Sequence, residues 1–255
     1  MVNEIKRRFF NREILVWMAA GVAAELIILT YIVYVRINYG HTEGKMCAAD
    51  MLSLVSNNFL FPFLMLMSAL CNQRMMKCDR DPMIILKYSS RQGIYFWQTV
   101  STLVYSAVES VLYVVIALIY GGIHFKVLYN WDKDYSYFAG CSNGSTLSIP
   151  VEYVIILYMI MMTVLMMSTC MLGIVLEIIS DSDIVSGVAI IILAGIDIFR
   201  KMTYSRLVLF ETSWLHMDMC IRKMCISLGI LAVIVAAGYF LQRRREYYEY
   251  KKENE

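Results

Sequence analysis

The chain has 255 residues, 59% of them hydrophobic and 17% charged, with a mean hydropathy of +0.58 and a formal net charge of +2. Soluble domains are nearer about 45–50% apolar and about 25% charged, and a charge this close to balance lacks the basic excess of a nucleic-acid binder. The apolar residues fall in runs of roughly 20, the length at which a helix spans hydrocarbon. A bilayer core offers the backbone no hydrogen-bond partner, so such runs are helical or belong to a closed barrel; barrel strands would be about ten residues long and alternating. The pattern predicts an all-α, polytopic membrane protein in a single domain covering residues 1–255.

Residues 2–13, VNEIKRRFFNRE, read as a short basic amphipathic stretch at the membrane surface, making 1–13 a surface helix. Six spans follow: Ile14–Val35, Met51–Cys71, Tyr95–Tyr120, Val151–Ile179, Ile184–Phe199 and Met224–Leu241. The first is longer than the apolar core of a signal peptide, so it is read as an uncleaved span. Residues 242–255 form a cytoplasmic tail.

Lys and Arg set the orientation. With both termini inside, 14 of the 23 basic residues are cytoplasmic, in the N-terminal stretch, in residues 72–94 and in the tail. Nine fall outside, and five of these (Arg200, Lys201, Arg206, Arg222 and Lys223) lie between spans five and six. That segment reads either as interfacial or re-entrant helices, or as a tilted helix continued outward. The topology puts His41, His124 and His216 outside, together with an N-glycosylation pattern at Asn143-Gly144-Ser145. Seven scattered cysteines form no CxxC pair.

Recognisable catalytic chemistry is missing from the sequence. GHTEGKM at 40–46 has the wrong spacing for a phosphate-binding loop, and there is no HExxH or GxSxG. Asp181 and Asp183, in SDSD, read as helix caps. No catalytic, cofactor-binding or metal residue is assigned, and the chain is not read as an enzyme.

Two carboxylates interrupt the spans: Glu25 in GVAAELIIL and Glu109 in YSAVESVLY. Charge in hydrocarbon is costly, so both should face the bundle interior or water. They are candidates for a substrate path, or for structural hydrogen bonds between helices. Small residues recur at packing spacing: Ala19, Ala20, Gly21, Ala23 and Ala24 in span one, Gly187 and Gly195 in span five, Gly229, Ala236 and Gly238 in span six. The methionines of MIMMTVLMM fill lipid-facing or core volume, or line a forgiving apolar surface.

Between spans two and three, CDRDPMIILKYSSRQGIYFWQ (78–98) gathers charge and aromatic residues. Asp81-Pro82 is a helix start signal, predicting a short cytoplasmic surface helix from Pro82 to Gln92 that ends by Gly93. Lys87 and Arg91 share a face, with Arg80 on nearly the same stripe. Tyr95, Phe96 and Trp97 form an interfacial belt where span three enters the bilayer.

This order of features resembles a type-2 ABC-transporter permease, and ILKYSSRQGIYFWQ (85–98) is similar to a pattern of small Firmicutes permeases. The matching positions are Lys87, Tyr88, Ser90, Arg91, Trp97 and Gln98; Lys87 stands where Arg is usual and Phe96 replaces one aromatic. The resemblance implies that the loop with Arg80, Asp81, Pro82, Lys87, Tyr88 and Arg91 is a coupling helix docking on a separate ATPase. It implies interfacial or re-entrant helices between spans five and six. It also implies a second permease copy or a sister permease, ATP and magnesium held by the partner ATPase, and a plasma-membrane location. The implied cargo is a peptide or other amphipathic substrate, as in antimicrobial-peptide export or immunity. Two other functions fit the sequence. One is a non-transporting adaptor or sensor partner docking through RRREYYEYKKENE; the other is an ion-coupled carrier using Glu25 and Glu109, for which no internal repeat is visible.

Overall fold

The structure, a computed structural model, describes residues 12–39, 45–55, 60–77, 90–200, 207 and 217–253. Their regular structure is helical: α1 Arg12–Tyr39, α2 Asp50–Val55, α3 Leu60–Met76, α4 Arg91–Phe125, α5 Tyr137–Cys141, α6 Val151–Ser180, α7 Asp183–Arg200 and α8 Met217–Glu253. The one β pairing among the described residues is an isolated bridge between Lys45 and Ser136. Among the described residues four segments are long and apolar enough to cross a membrane: Ile14–Val35, Arg91–Phe125, Val151–Ser180 and Asp218–Arg244. The described part is therefore all-helical with four membrane-spanning candidates.

Helix α6 is the centre of the bundle and packs against α3, α4, α7 and α8. Its methionines are core: Met161, Met162, Met166, Met167 and Met171 are all buried. An unbranched thioether suits this role, because it fills the irregular gaps left between several helices meeting at different angles. Helix α8 lies at the periphery, with Ile221, Ile226, Leu228, Val233 and Phe240 exposed.

The buried residues form two clusters. One joins Ile14 of α1, Cys71 of α3, Tyr95 and Tyr105 of α4, Ile178 of α6 and Ile190 of α7, with Val235 and Leu241 of α8 packed against it. The other joins Val33, Met51, Tyr113, Ala117, Val154 and Cys220 with Trp131 and Phe138. Successive long helices thus leave one cluster and arrive at the other.

The second cluster is closed by a polar cap. Asp50 heads α2, and its carboxylate accepts from Trp131 Nε1 and the Cys47 amide, each at 2.7 Å. The Trp131 ring stacks on Phe138 at 4.7 Å. Backbone bonds from Ala48 and Ala49 to Val127 and Leu128, and from Lys45 to Tyr135, lace residues 45–52 onto 126–137. Gly121 is needed at this junction, since a Cβ there would lie 2.7 Å from the Ala48 Cα.

Several expected boundaries move. The helix of the third span begins at Arg91, not Tyr95, because Ser90 is its N-cap and accepts from the Gly93 amide at 3.1 Å. Gly93 therefore lies in the first turn of α4 and ends no surface helix. The SDSD turn divides its capping differently from the expectation: Asp181 closes α6 in a left-handed conformation (φ 54°), bonding its amide to Glu177 O. Ser182 Oγ then accepts from Val185 N, and Asp183 is the first residue of α7. Arg222 and Lys223 belong to α8 itself, which begins at Met217. Of the segment between the fifth and sixth expected spans, 217–223 is thus the first part of α8, while 201–206 and 208–216 lie outside the described residues. The tail is continuous with α8 as far as Glu253. Residues 1–11 also lie outside the described part.

Candidate functional site

Helix α4 carries Thr102, Tyr105, Ser106, Glu109 and Tyr113 at spacings of three and four, so one stripe of a membrane-length helix is polar or aromatic-hydroxyl. All five are buried. The stripe faces α3, where Thr102 Oγ1 donates to Asn72 Oδ1 at 3.3 Å. Glu109 accepts from Ser68 Oγ of α3 and from Tyr105 Oη one turn earlier on its own helix. Its two oxygens are satisfied by hydroxyls, with no Lys or Arg at ion-pair distance among the described residues. Through Ser68, Glu109 joins α4 to α3.

Glu25, near the middle of α1, is different. Its side chain has no exposed surface, and neither carboxylate oxygen has a hydrogen-bond partner. Tyr113, one turn after Glu109 on α4, brings its hydroxyl against this part of α1. Its hydroxyl fits there because Gly21, one turn before Glu25, has no side chain: a Cβ at that position would lie 2.6 Å from Tyr113 Oη. The small-residue spacing in span one therefore makes room for a hydroxyl beside an acid. A buried carboxylate without partners is costly. That cost falls when a donor reaches it, whether a proton, an ammonium or a hydroxyl.

The expected ATPase-facing group is described only at its end. Arg80, Asp81, Pro82, Lys87 and Tyr88 lie outside the described residues, and Arg91 is the first residue of α4. The aromatic belt divides. Phe96 is exposed, whereas Tyr95 turns inward and donates to Val235 O of α8 at 3.0 Å. Gly238 admits that ring, since any Cβ there would overlap it. One turn away, Tyr239 Oη donates to Gln92 Oε1 at 3.1 Å. The start of α4 is thereby tied to α8 at two points, neither of which the local sequence signals.

Nearby, α3, α6 and α7 are pinned by Gln73, whose Nε2 donates to Ser186 Oγ at 2.6 Å; Ser186 in turn donates to Gly173 O at 2.7 Å. Gly173 permits the approach, a Cβ there lying 2.8 Å from Ile190. The six cysteines among the described residues form no disulfide with one another, and no group of His, Cys, Asp or Glu among the described residues is placed to hold a metal ion. No family model, no curated protein and no solved structure matches this chain.

Proposed function

We propose that this chain is the six-span permease subunit of an ATP-driven exporter in a plasma membrane, with both termini cytoplasmic. In this reading α3 and α7 complete the six spans with the four longer helices. A separate ABC ATPase subunit holds ATP and magnesium, and a second permease copy or a sister permease completes the pathway. The observation that carries the reading is mechanical. The basic segment between α3 and α4 enters α4 at a capped start (Ser90 to Gly93), and that start is tied to α8 through Tyr95–Val235 and Gln92–Tyr239. A push on residues 80–91 would therefore move two long helices together. Similarity of ILKYSSRQGIYFWQ to small type-2 ABC permeases supplies the nature of the pushing partner. Arg80, Asp81, Pro82, Lys87, Tyr88 and Arg91 are the proposed ATPase contacts. The proposed substrate is a peptide or other amphipath passing near Glu25 and Glu109.

Co-purification tests the proposal. An ATPase should accompany the chain, and its membrane-dependent hydrolysis should collapse in Lys87→Glu/Arg91→Glu. A stable, functional assembly lacking any ATPase would overturn it.

The unpartnered oxygens of Glu25 favour a second reading, an ion- or proton-coupled carrier using Glu25 and Glu109. It predicts uptake or efflux in vesicles driven by an ion gradient without ATP, and abolished by Glu25→Gln.

A further inference from the structure

At the end of the bundle that holds Ile14, Met75 and Leu241, α1, α3 and α7 leave an open cleft of about 280 Å³. Its mouth and its wall have different chemistry. Arg74 and Lys77, three residues apart at the end of α3, stand at the mouth on exposed side chains, and neither has an ion-pair partner among the described residues. Asp183 shares the mouth, with one carboxylate oxygen accepting from the Ile184 amide. The wall behind them is apolar: Leu70 and Trp17 on one side, and on the other Ile184, Val188 and Ile191, which occupy one face of α7 and are all exposed. Tryptophan and basic side chains at the ends of membrane helices mark the headgroup level, so the mouth sits at that depth and the α7 face runs inward from it.

We infer that this cleft binds a glycerophospholipid, its phosphate held by Arg74 and Lys77 and one acyl chain laid along Ile184, Val188 and Ile191. Among the described residues, two cations and one carboxylate line the mouth, a balance that suits one phosphodiester better than a polyanion. A free phosphate ion would meet the same two cations but make no use of the apolar wall, which is why an amphiphile is the assigned ligand. Gly187 sits on the cleft floor with ordinary clearance: a Cβ there would be 3.6 Å from both Gln73 and Leu70. Only a larger side chain at that position would fill the space. The inference rests on the chain lying in a bilayer and is independent of the transport function proposed above.

Native mass spectrometry of the full chain released from detergent, with added dioleoyl phosphatidylglycerol, reads the site directly. The wild type should retain the phospholipid but not dioleoylglycerol, which has the same tails without phosphate, and millimolar inorganic phosphate should not displace it. Arg74→Gln/Lys77→Gln should weaken retention on the order of tenfold or more, the size expected for two basic residues near a headgroup. Gly187→Leu should lose it with both charges in place, which keeps the test decisive if the double variant fails to fold. Arg243→Gln, which removes a basic residue elsewhere on the chain, should have no effect. Equal retention of dioleoylglycerol, displacement by inorganic phosphate, or an equal loss in Arg243→Gln would each overturn the site.

Discussion

Asp50 in the loop cap and Glu25 in the membrane interior are both carboxylates with no exposed surface, yet their surroundings are opposite. Asp50 accepts from an indole N–H and a backbone amide that come from two different segments. Glu25 accepts from nothing. A polar group with its donors in place organises the structure around it, whereas a polar group held without them raises the free energy of the resting protein. Such a group persists where something that arrives later can bind it. Glu109 falls between the two, satisfied by hydroxyls that can rotate away.

The largest expected effect lies at the cap. Asp50→Ala strands the Trp131 indole and the Cys47 amide, two buried donors, at roughly 1–3 kcal/mol each. A loss of about 2–6 kcal/mol should appear as a lowered midpoint of thermal unfolding in detergent, read by tryptophan fluorescence. Asp50→Asn should fall between that variant and wild type, because one amide oxygen remains while the NH2 faces a donor. An unchanged midpoint in Asp50→Ala would erase the contrast with Glu25.

Next in size is the fit between α1 and α4. Gly21→Ala puts a methyl group 2.6 Å from Tyr113 Oη, while the next ring atom is 3.7 Å away. Overpacking of this kind costs about 1–3 kcal/mol, and only the hydroxyl is in the way. Tyr113→Phe should therefore restore most of the stability lost in Gly21→Ala. Simple addition of the two effects in a double-mutant cycle would separate Tyr113 from Gly21.

Glu25 itself should respond in the opposite sense to Asp50. Glu25→Leu removes an unsatisfied group and replaces it with apolar volume, so stability should hold or rise by about 1 kcal/mol. Glu109→Leu should be destabilising instead, since Ser68 and Tyr105 lose their acceptor. If Glu25 lies on a substrate path, the stable Glu25→Leu protein would be inactive in transport. A strong destabilisation by Glu25→Leu would place Glu25 with Asp50 as architecture.

How much of this could be read in advance depends on whether the cause is local. The apolar runs of α1 and α6 follow from composition, and the rarity of Glu25 and Glu109 within their spans marks both residues. The SDSD turn is also local, although the caps fall on Asp181 and Ser182. The start of α4 was expected at Tyr95, with Gly93 ending a separate surface helix, and only the fold shows that Ser90 caps this helix. Arg222 and Lys223 read as loop residues, but long basic side chains can reach an interface from within a helix. The Trp131 partner of Asp50 was not legible at all, since it is 81 residues away. The inward turn of Tyr95 likewise depends on Gly238, in a helix far along the chain.

The smallest effect on stability, and the most direct check on which face the cap occupies, comes from two cysteines. Cys47 is buried against Asp50, and its thiol is pushed up to about 12, chiefly by burial and then by the neighbouring carboxylate. Cys141, at the end of α5, is exposed. A membrane-impermeant maleimide applied to intact cells should label Cys141 and leave Cys47 untouched until the protein unfolds; labelling of Cys141 only after the membrane is opened would reverse the orientation. At pH 9, where a thiol of ordinary acidity is half ionised, folded Cys47 remains a thiol. Its folded value lies above its unfolded value, so ionisation favours the unfolded chain. The stability it contributes is complete below pH 9 and declines as pH climbs toward 12. Cys47→Ala should flatten that alkaline decline, and a decline of the same steepness in the variant would show that the thiol is not its source.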